Sequence, residues 1–157
     1  MKKVLILYAN ATRNTEEIAC LLEKHIDQTL FKVTLNNIEI DEMDPKKLLL
    51  YDGILFGTYT YDDGDLPFET DIFCDSLETI DLTGKAVGVF GSGDLSYFDF
   101  CGAVDSMQEL FRHANAAVIE HTVKVDLYPD EEEELLSNKM LADLFQQALA
   151  NSMIGNL

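Results

Sequence analysis

The sequence predicts an α/β domain in three layers: a five-stranded parallel sheet in the order 2-1-3-4-5, with helices on both faces. Three observations predict it. Apolar runs of strand length alternate five times with stretches of helical periodicity, the pattern of βαβ units joined by right-handed crossovers. The run "KVLILY" is almost continuously apolar, as a central parallel strand buried on both faces must be. The chain has 157 residues, the size of one ordinary domain, so residues 1–157 are expected to share one core. In a sheet of this order, ligands bind outside the carboxyl ends of the strands, at the switch between strands one and three.

Each element has its own signal. After the first strand, Ile18, Leu21, Leu22 and Ile26 recur at helical spacing. "FKVTL" alternates Phe31, Val33 and Leu35, a strand with one more exposed face. Asp44 and Pro45 read as the N-cap and first position of a helix. "YDGILFGTYT" is the third strand, ending at Gly57, and Pro67 opens a short helix that turns Phe68, Ile72 and Phe73 inward. "KAVGVFG" is the fourth strand, and Val104, Met107 and Phe111 mark the next helix. "AVIEHTVKV" is a single fifth strand. The closing helix is "DEEEELLSNKMLADLFQQALA", with Leu135, Leu136, Leu144 and Phe145 expected among its inward positions. The carboxylates that open it suit a helix N-terminus.

Charge narrows the partners. Asp and Glu number 29 against 11 Lys and Arg, a formal net charge of -18. Nucleic acid and anionic membranes are poor partners for such a surface, and a basic protein met by electrostatic steering is a good one. No apolar run is long enough for a membrane span, and the apolar start is too short for a signal peptide. Cys20, Cys74 and Cys101 are widely spaced, with no C-x-x-C, which points to a reducing, cytoplasmic setting. His25, His113 and His121 have no metal-spaced partners, and no metal site is expected.

Three loops at the carboxyl edge carry the chemistry. "NATRNT", Asn10 to Thr15, joins the first strand to a helix. Hydroxyl and amide side chains at a helix N-terminus hold a phosphate without a full cation, and the same residues also suit simple helix capping. The second loop, "GTYTYDDGDLPFE", brings Tyr59 and Tyr61 beside Asp62 and Asp63. The third, "GSGDLSYFDFCGAVD", brings Asp94, Tyr97, Phe98 and Phe100 beside Gly91 and Gly93. Loop aromatics at a sheet crevice either cover a flat ligand or pack the edge. With all three loops on one edge, the simplest common ligand is a flat ring with a phosphate tail.

These motifs resemble those of flavodoxins over essentially the full chain. Asn10-Ala11-Thr12-Arg13-Asn14-Thr15 is similar to the family's phosphate loop T/S-x-T-G-x-T, departing at Asn10 and Arg13. Thr60-Tyr61-Asp62-Asp63 matches the second loop, commonly T-W-G-D. Gly93-Asp94-Leu95-Ser96-Tyr97, followed by Phe100-Cys101-Gly102-Ala103-Val104-Asp105, matches the third over a long and specific stretch. The uninterrupted fifth strand resembles the short-chain class, and the loop wording is most similar to flavodoxins of the Bacillus group.

The resemblance implies a flavodoxin-like fold and a low-potential one-electron carrier with non-covalently bound FMN. Such a carrier shuttles electrons from a flavodoxin or ferredoxin reductase to acceptor enzymes, as a cytoplasmic monomer that does no catalysis of its own. Asn10, Ala11, Thr12, Arg13, Asn14 and Thr15 would wrap the phosphate. Thr60, Tyr61, Asp62 and Asp63 would border the ring, with Tyr61 on its inner face. Tyr97 would stack on the outer face, and Gly93, Asp94 and Cys101 would line the pyrimidine edge. Tyr59, Ser92 and Phe100 are also expected to contact the cofactor. Asp62 stands where the family often has Gly, whose peptide can flip towards the reduced flavin, so the singly reduced flavin is expected to be less stabilised than with Gly. Arg13 either lies over the phosphate or projects into solvent. The alternatives are a dedicated activator of one oxidoreductase and an FMN-dependent NAD(P)H or quinone oxidoreductase. A phospho-accepting receiver domain lacks its acidic pair here.

Overall fold

The structure, a computed structural model, describes residues 1–9, 13–38, 44–59, 70–93, 101–126 and 132–155. Strands β1 (Lys2–Tyr8), β2 (Phe31–Asn37), β3 (Gly53–Tyr59), β4 (Ala86–Gly93), β5 (Ala117–Val118) and β6 (Val123–Asp126) form one parallel sheet. Their order is β2-β1-β3-β4-β5, with β6 also paired to β4, as expected for a doubly wound sheet. Strands three and four each run two residues beyond their expected ends, to Tyr59 and Gly93.

Two apolar layers sandwich this sheet. Helices α1 (Asn14–His25) and α4 (Glu132–Gly155) cover the face bearing Val4, Ile6, Phe90, Val123 and Val125. Helices α2 (Asp71–Leu77) and α3 (Gly102–His113), with a 3-10 helix at Pro45–Leu50, cover the face bearing Leu5, Leu7, Phe56 and Val89. In register, Leu7, Phe56 and Val89 lie side by side on that second face. Strand alternation sends each apolar residue of β1 and β3 to one layer or the other, which is why these strands read as continuous apolar runs. The 3-10 helix starts as the sequence predicts: Pro45 sits at its first position, and the Asp44 carboxylate accepts from Lys46 N at 3.0 Å. Val104, Met107, Phe111 and Phe73 are fully or almost fully buried, as expected, while Pro67 and Phe68 lie outside the described residues.

Two local expectations are corrected. The fifth strand is broken. Val118 pairs with Val87 and Val123 with Phe90, so four residues, 119–122, face only Gly88 and Val89. This is a bulge, whose excess residues leave the ladder. It is held from both sides. Gln108 Nε2 of α3 donates to the carbonyls of Ile119 (3.0 Å) and Glu120 (3.2 Å), and His121 Nε2 lies 3.0 Å from Ser137 Oγ of α4. The second correction concerns α4. Leu135 and Leu136 point outward, 39% and 61% exposed, and Leu144 is only half-buried. The inward stripe is Asn138, Leu141, Ala142, Phe145 and Leu149, with Phe145 matching its expectation. Among the described residues no helix is long and apolar enough to cross a membrane.

Candidate functional site

The carboxyl edge of the sheet is where the loops after β1, β3, β4 and β6 leave, and α1 starts there too. Strand β1 is fixed at this edge by Ala9 N to Gly57 O (3.0 Å) and Ile38 N to Tyr8 O (2.9 Å). The chain then winds to opposite faces: from β1 into α1 on one side, and from β3 towards α2 on the other. Parting loops of this kind open a crevice between β1 and β3.

Helix α1 begins on Arg13, whose backbone is left-handed (φ 70, ψ -5) and whose side chain is exposed. Among the described residues no side chain caps this turn, and the first helical bond runs from Glu17 N to Arg13 O at 3.0 Å. The N–H groups of Asn14, Thr15 and Glu16 therefore point out of the helix end without intrahelical acceptors. Together with the helix dipole they form a donor set for an anion. Tyr8 OH donates to Glu16 Oε1 at 3.3 Å, which draws that carboxylate to the strand behind it.

Directly behind the turn, Thr15 and Ser92 are 1% and 4% exposed, and their hydroxyl oxygens lie 2.9 Å apart. This pair ties the first turn of α1 to the end of β4. The sequence named both residues but carried no signal that they meet, because 77 positions separate them. Tyr59, half-buried, closes β3 at this edge, above a fully buried Thr58 whose hydroxyl donates to Tyr59 O at 3.2 Å.

On the far side, Cys101 is the left-handed residue (φ 56) that starts α3. Its Sγ is fully buried, 4.0 Å from Gly91 O and 3.9 Å from Val125 O. Burial pushes the Cys101 thiol up to about 12, against an ordinary value of 9.0, despite the nearby Lys124 ammonium. Lys124 is itself paired with Asp105 at 2.9 Å. Two consequences are testable. Cys101 should remain unmodified by a disulfide reagent at pH 8 in the folded protein and react only on unfolding. And because the folded pKa is raised, the thiol's contribution to stability is complete below pH 9 and is lost as pH rises from there towards 12; denaturation curves across that range check it.

Of the expected site residues, Arg13, Asn14, Thr15, Tyr59, Ser92, Gly93 and Cys101 are described, all at this one edge. Asn10, Ala11, Thr12, Thr60, Tyr61, Asp62, Asp63, Asp94, Tyr97 and Phe100 lie outside the described residues. A concavity of about 410 Å³ lined by Leu77, Glu78, Leu110, His113 and Ala114 sits elsewhere, at the closing ends of α2 and α3.

Known proteins share this fold and sequence. Residues 6–138 match the flavodoxin family model. A probable flavodoxin 1 of Bacillus subtilis is 39% identical over 142 residues, covering 90% of this chain and 89% of that protein. The crystal structure of oxidised flavodoxin 2 from Bacillus cereus is 43% identical, with a TM-score of 0.86 over 92% of this chain and 98% of its own. A Fusobacterium nucleatum flavodoxin bound to flavin mononucleotide shares the fold at 22% identity, with a TM-score of 0.73 over 94% of this chain and 96% of its own.

Proposed function

The chain belongs to the flavodoxin family, and from that membership we propose that it carries single electrons between redox enzymes on non-covalently bound FMN. It is a short-chain flavodoxin similar to those of Bacillus, an electron-transfer protein rather than an enzyme. The observation that carries the reading is the first turn of α1 at the switch point, uncapped among the described residues and beside the buried Thr15–Ser92 pair. Its donors suit a phosphate monoester: three outward N–H groups, a helix dipole and a nearby hydroxyl and amide. Bound FMN supplies the uptake and release of one electron and then a second.

The chain's own residues bind and tune. By the likeness of their motifs, Asn10 to Thr15 hold the phosphate, Tyr61 and Tyr97 offer aromatic faces to the ring, and Tyr59, Thr60, Asp62 and Asp63 border it. Ser92, Gly93, Asp94, Phe100 and Cys101 belong to the pyrimidine side. The backbone of the first turn binds an anion without drawing counter-charge to the ring, so the carboxylates keep their field. One carboxylate 4 Å from developing negative charge opposes it by about 1 kcal/mol in water and about 4 kcal/mol at an effective dielectric of 20. A tenfold change in a one-electron equilibrium is about 59 mV, so a few such groups lower the potential by on the order of 100 mV. The net charge of -18 favours basic-faced reductases and acceptors, met transiently by a cytoplasmic monomer.

Titration of the apoprotein with FMN tests the reading. Saturable one-to-one quenching of flavin fluorescence is expected, followed by photoreduction of the complex without oxidation of NAD(P)H. Apoprotein that leaves flavin fluorescence unchanged rejects the carrier, and steady NAD(P)H consumption by the complex converts it to an oxidoreductase. Arg13→Gly separates backbone from side chain. The left-handed Arg13 strains the turn by about 1–2 kcal/mol, offset by about 0.5–1 kcal/mol of extra freedom that Gly gives the unfolded chain. The variant should be as stable as the parent or slightly more so. Because the exposed guanidinium is worth little, FMN affinity should change less than about fivefold, with unaltered salt dependence.

A further inference from the structure

The first turns of α4 bury polar atoms that find no hydrogen-bond partner among the described residues. Asn138 is 1% exposed, and neither its Oδ1 nor its Nδ2 has a hydrogen-bond partner. One turn earlier, Glu134 Oε1 is likewise buried and unpartnered, while its Oε2 accepts from Asp126 N at 2.9 Å. The two side chains are four residues apart, so they share one face of the helix. That face packs on β6 and β4, in the same layer as the Thr15–Ser92 pair. The neighbouring Ser137 is already engaged with His121.

Each buried polar atom left alone carries a penalty large enough that native proteins rarely retain it. The identity of the missing partner follows from the inventory of three polar atoms: two acceptors, Glu134 Oε1 and Asn138 Oδ1, and the Asn138 amide nitrogen with its two N–H donors. A metal cation would match the acceptors and leave the amide N–H groups unpaired. An anion would face the Glu134 carboxylate. A water molecule both donates and accepts, and three polar partners are the usual complement of a buried one. We propose that Glu134 and Asn138 hold internal water between α4 and the end of β6, and that this water completes the bond network that seats Asp126 at the carboxyl edge.

The proposal is tested on the FMN-loaded protein in two ways. In the parent, NMR should show cross-relaxation between a long-lived water and the Asn138 side-chain amide. Asn138→Leu then gives a sign test. With water present, the leucine expels it and strands Glu134 Oε1, so the urea midpoint should fall by about 0.5 M or more, and the Asp126 amide should exchange faster. With a dry site, the leucine removes an unsatisfied amide and the midpoint should rise. A missing water signal in the parent, or a raised midpoint in the variant, overturns the proposal. Should the variant fail to fold, the parent's water signal decides.

Discussion

Phe56→Ala is expected to cost about 3–5 kcal/mol, a large share of the roughly 5–15 kcal/mol that holds a domain of this size together. Phe56 lies in the middle of β3 and is fully buried. It stacks on Phe73 of α2 at 5.2 Å between ring centres and meets Phe111 of α3 edge-on at 5.5 Å. The ring therefore joins three elements, and each aromatic pair adds about 0.5–1.5 kcal/mol beyond its buried area. Truncation leaves a cavity that neither helix can close without leaving the sheet. Urea denaturation of the apoprotein should show the full loss, with saturating FMN restoring part of it by mass action. A loss under about 1 kcal/mol would show that this layer repacks freely, contrary to its close ring contacts.

Gly91→Ala should damage stability and FMN binding together. An added Cβ at Gly91 would stand 2.5 Å from Thr58 O, backbone of the neighbouring strand, and 2.5 Å from Val104 Cγ2 of α3. Neither atom is the free end of a mobile side chain: one belongs to the ladder, the other to a fully buried valine. Relief requires α3 or the β3–β4 pair to shift, at about 1–3 kcal/mol. Ser92 and Gly93 follow immediately, so the shift should also reach the cofactor side and weaken FMN binding by about tenfold for each 1.4 kcal/mol misdirected. Gly84→Ala is the control. Gly84 is left-handed (φ +85) with open space around its Cβ position, so that variant should lose about 1 kcal/mol of stability and bind FMN normally. Equal FMN affinities in the two variants would reject the link between Gly91 and the site.

Much of this was legible because local signals and the global fold agree. The continuous apolar runs of β1 and β4, the Asp44–Pro45 start and the spacing of Val104, Met107 and Phe111 each have one physical reading, and each holds. The phase of α4 was not legible. Leu136 and Met140 are as regularly spaced as Leu141, Phe145 and Leu149, and the buried stripe includes Asn138, which polarity alone assigns to the surface. The break in the fifth strand was hidden for a similar reason. "AVIEHTVKV" carries β-forming residues on both sides, and only the polar Glu120-His121 pair at its middle marks where the ladder opens. At the site, motifs identified the residues, but the Thr15–Ser92 contact arises from the fold alone.

The bulge at 119–122 has a consequence for how the chain can change length. β5 and β6 each pair with β4 in their own right, so neither depends on the other for its register. The fifth sheet position is a hinged rail in two pieces rather than a single beam. The Gln108 and Ser137 contacts fasten the joint at its two sides. Extra residues at the exposed Glu120 would lengthen the joint without sliding either rail, because each doubling of a loop costs only about 0.6 kcal/mol. The same addition inside β1 or β3 would turn a whole strand over and bring polar residues into both layers of the core.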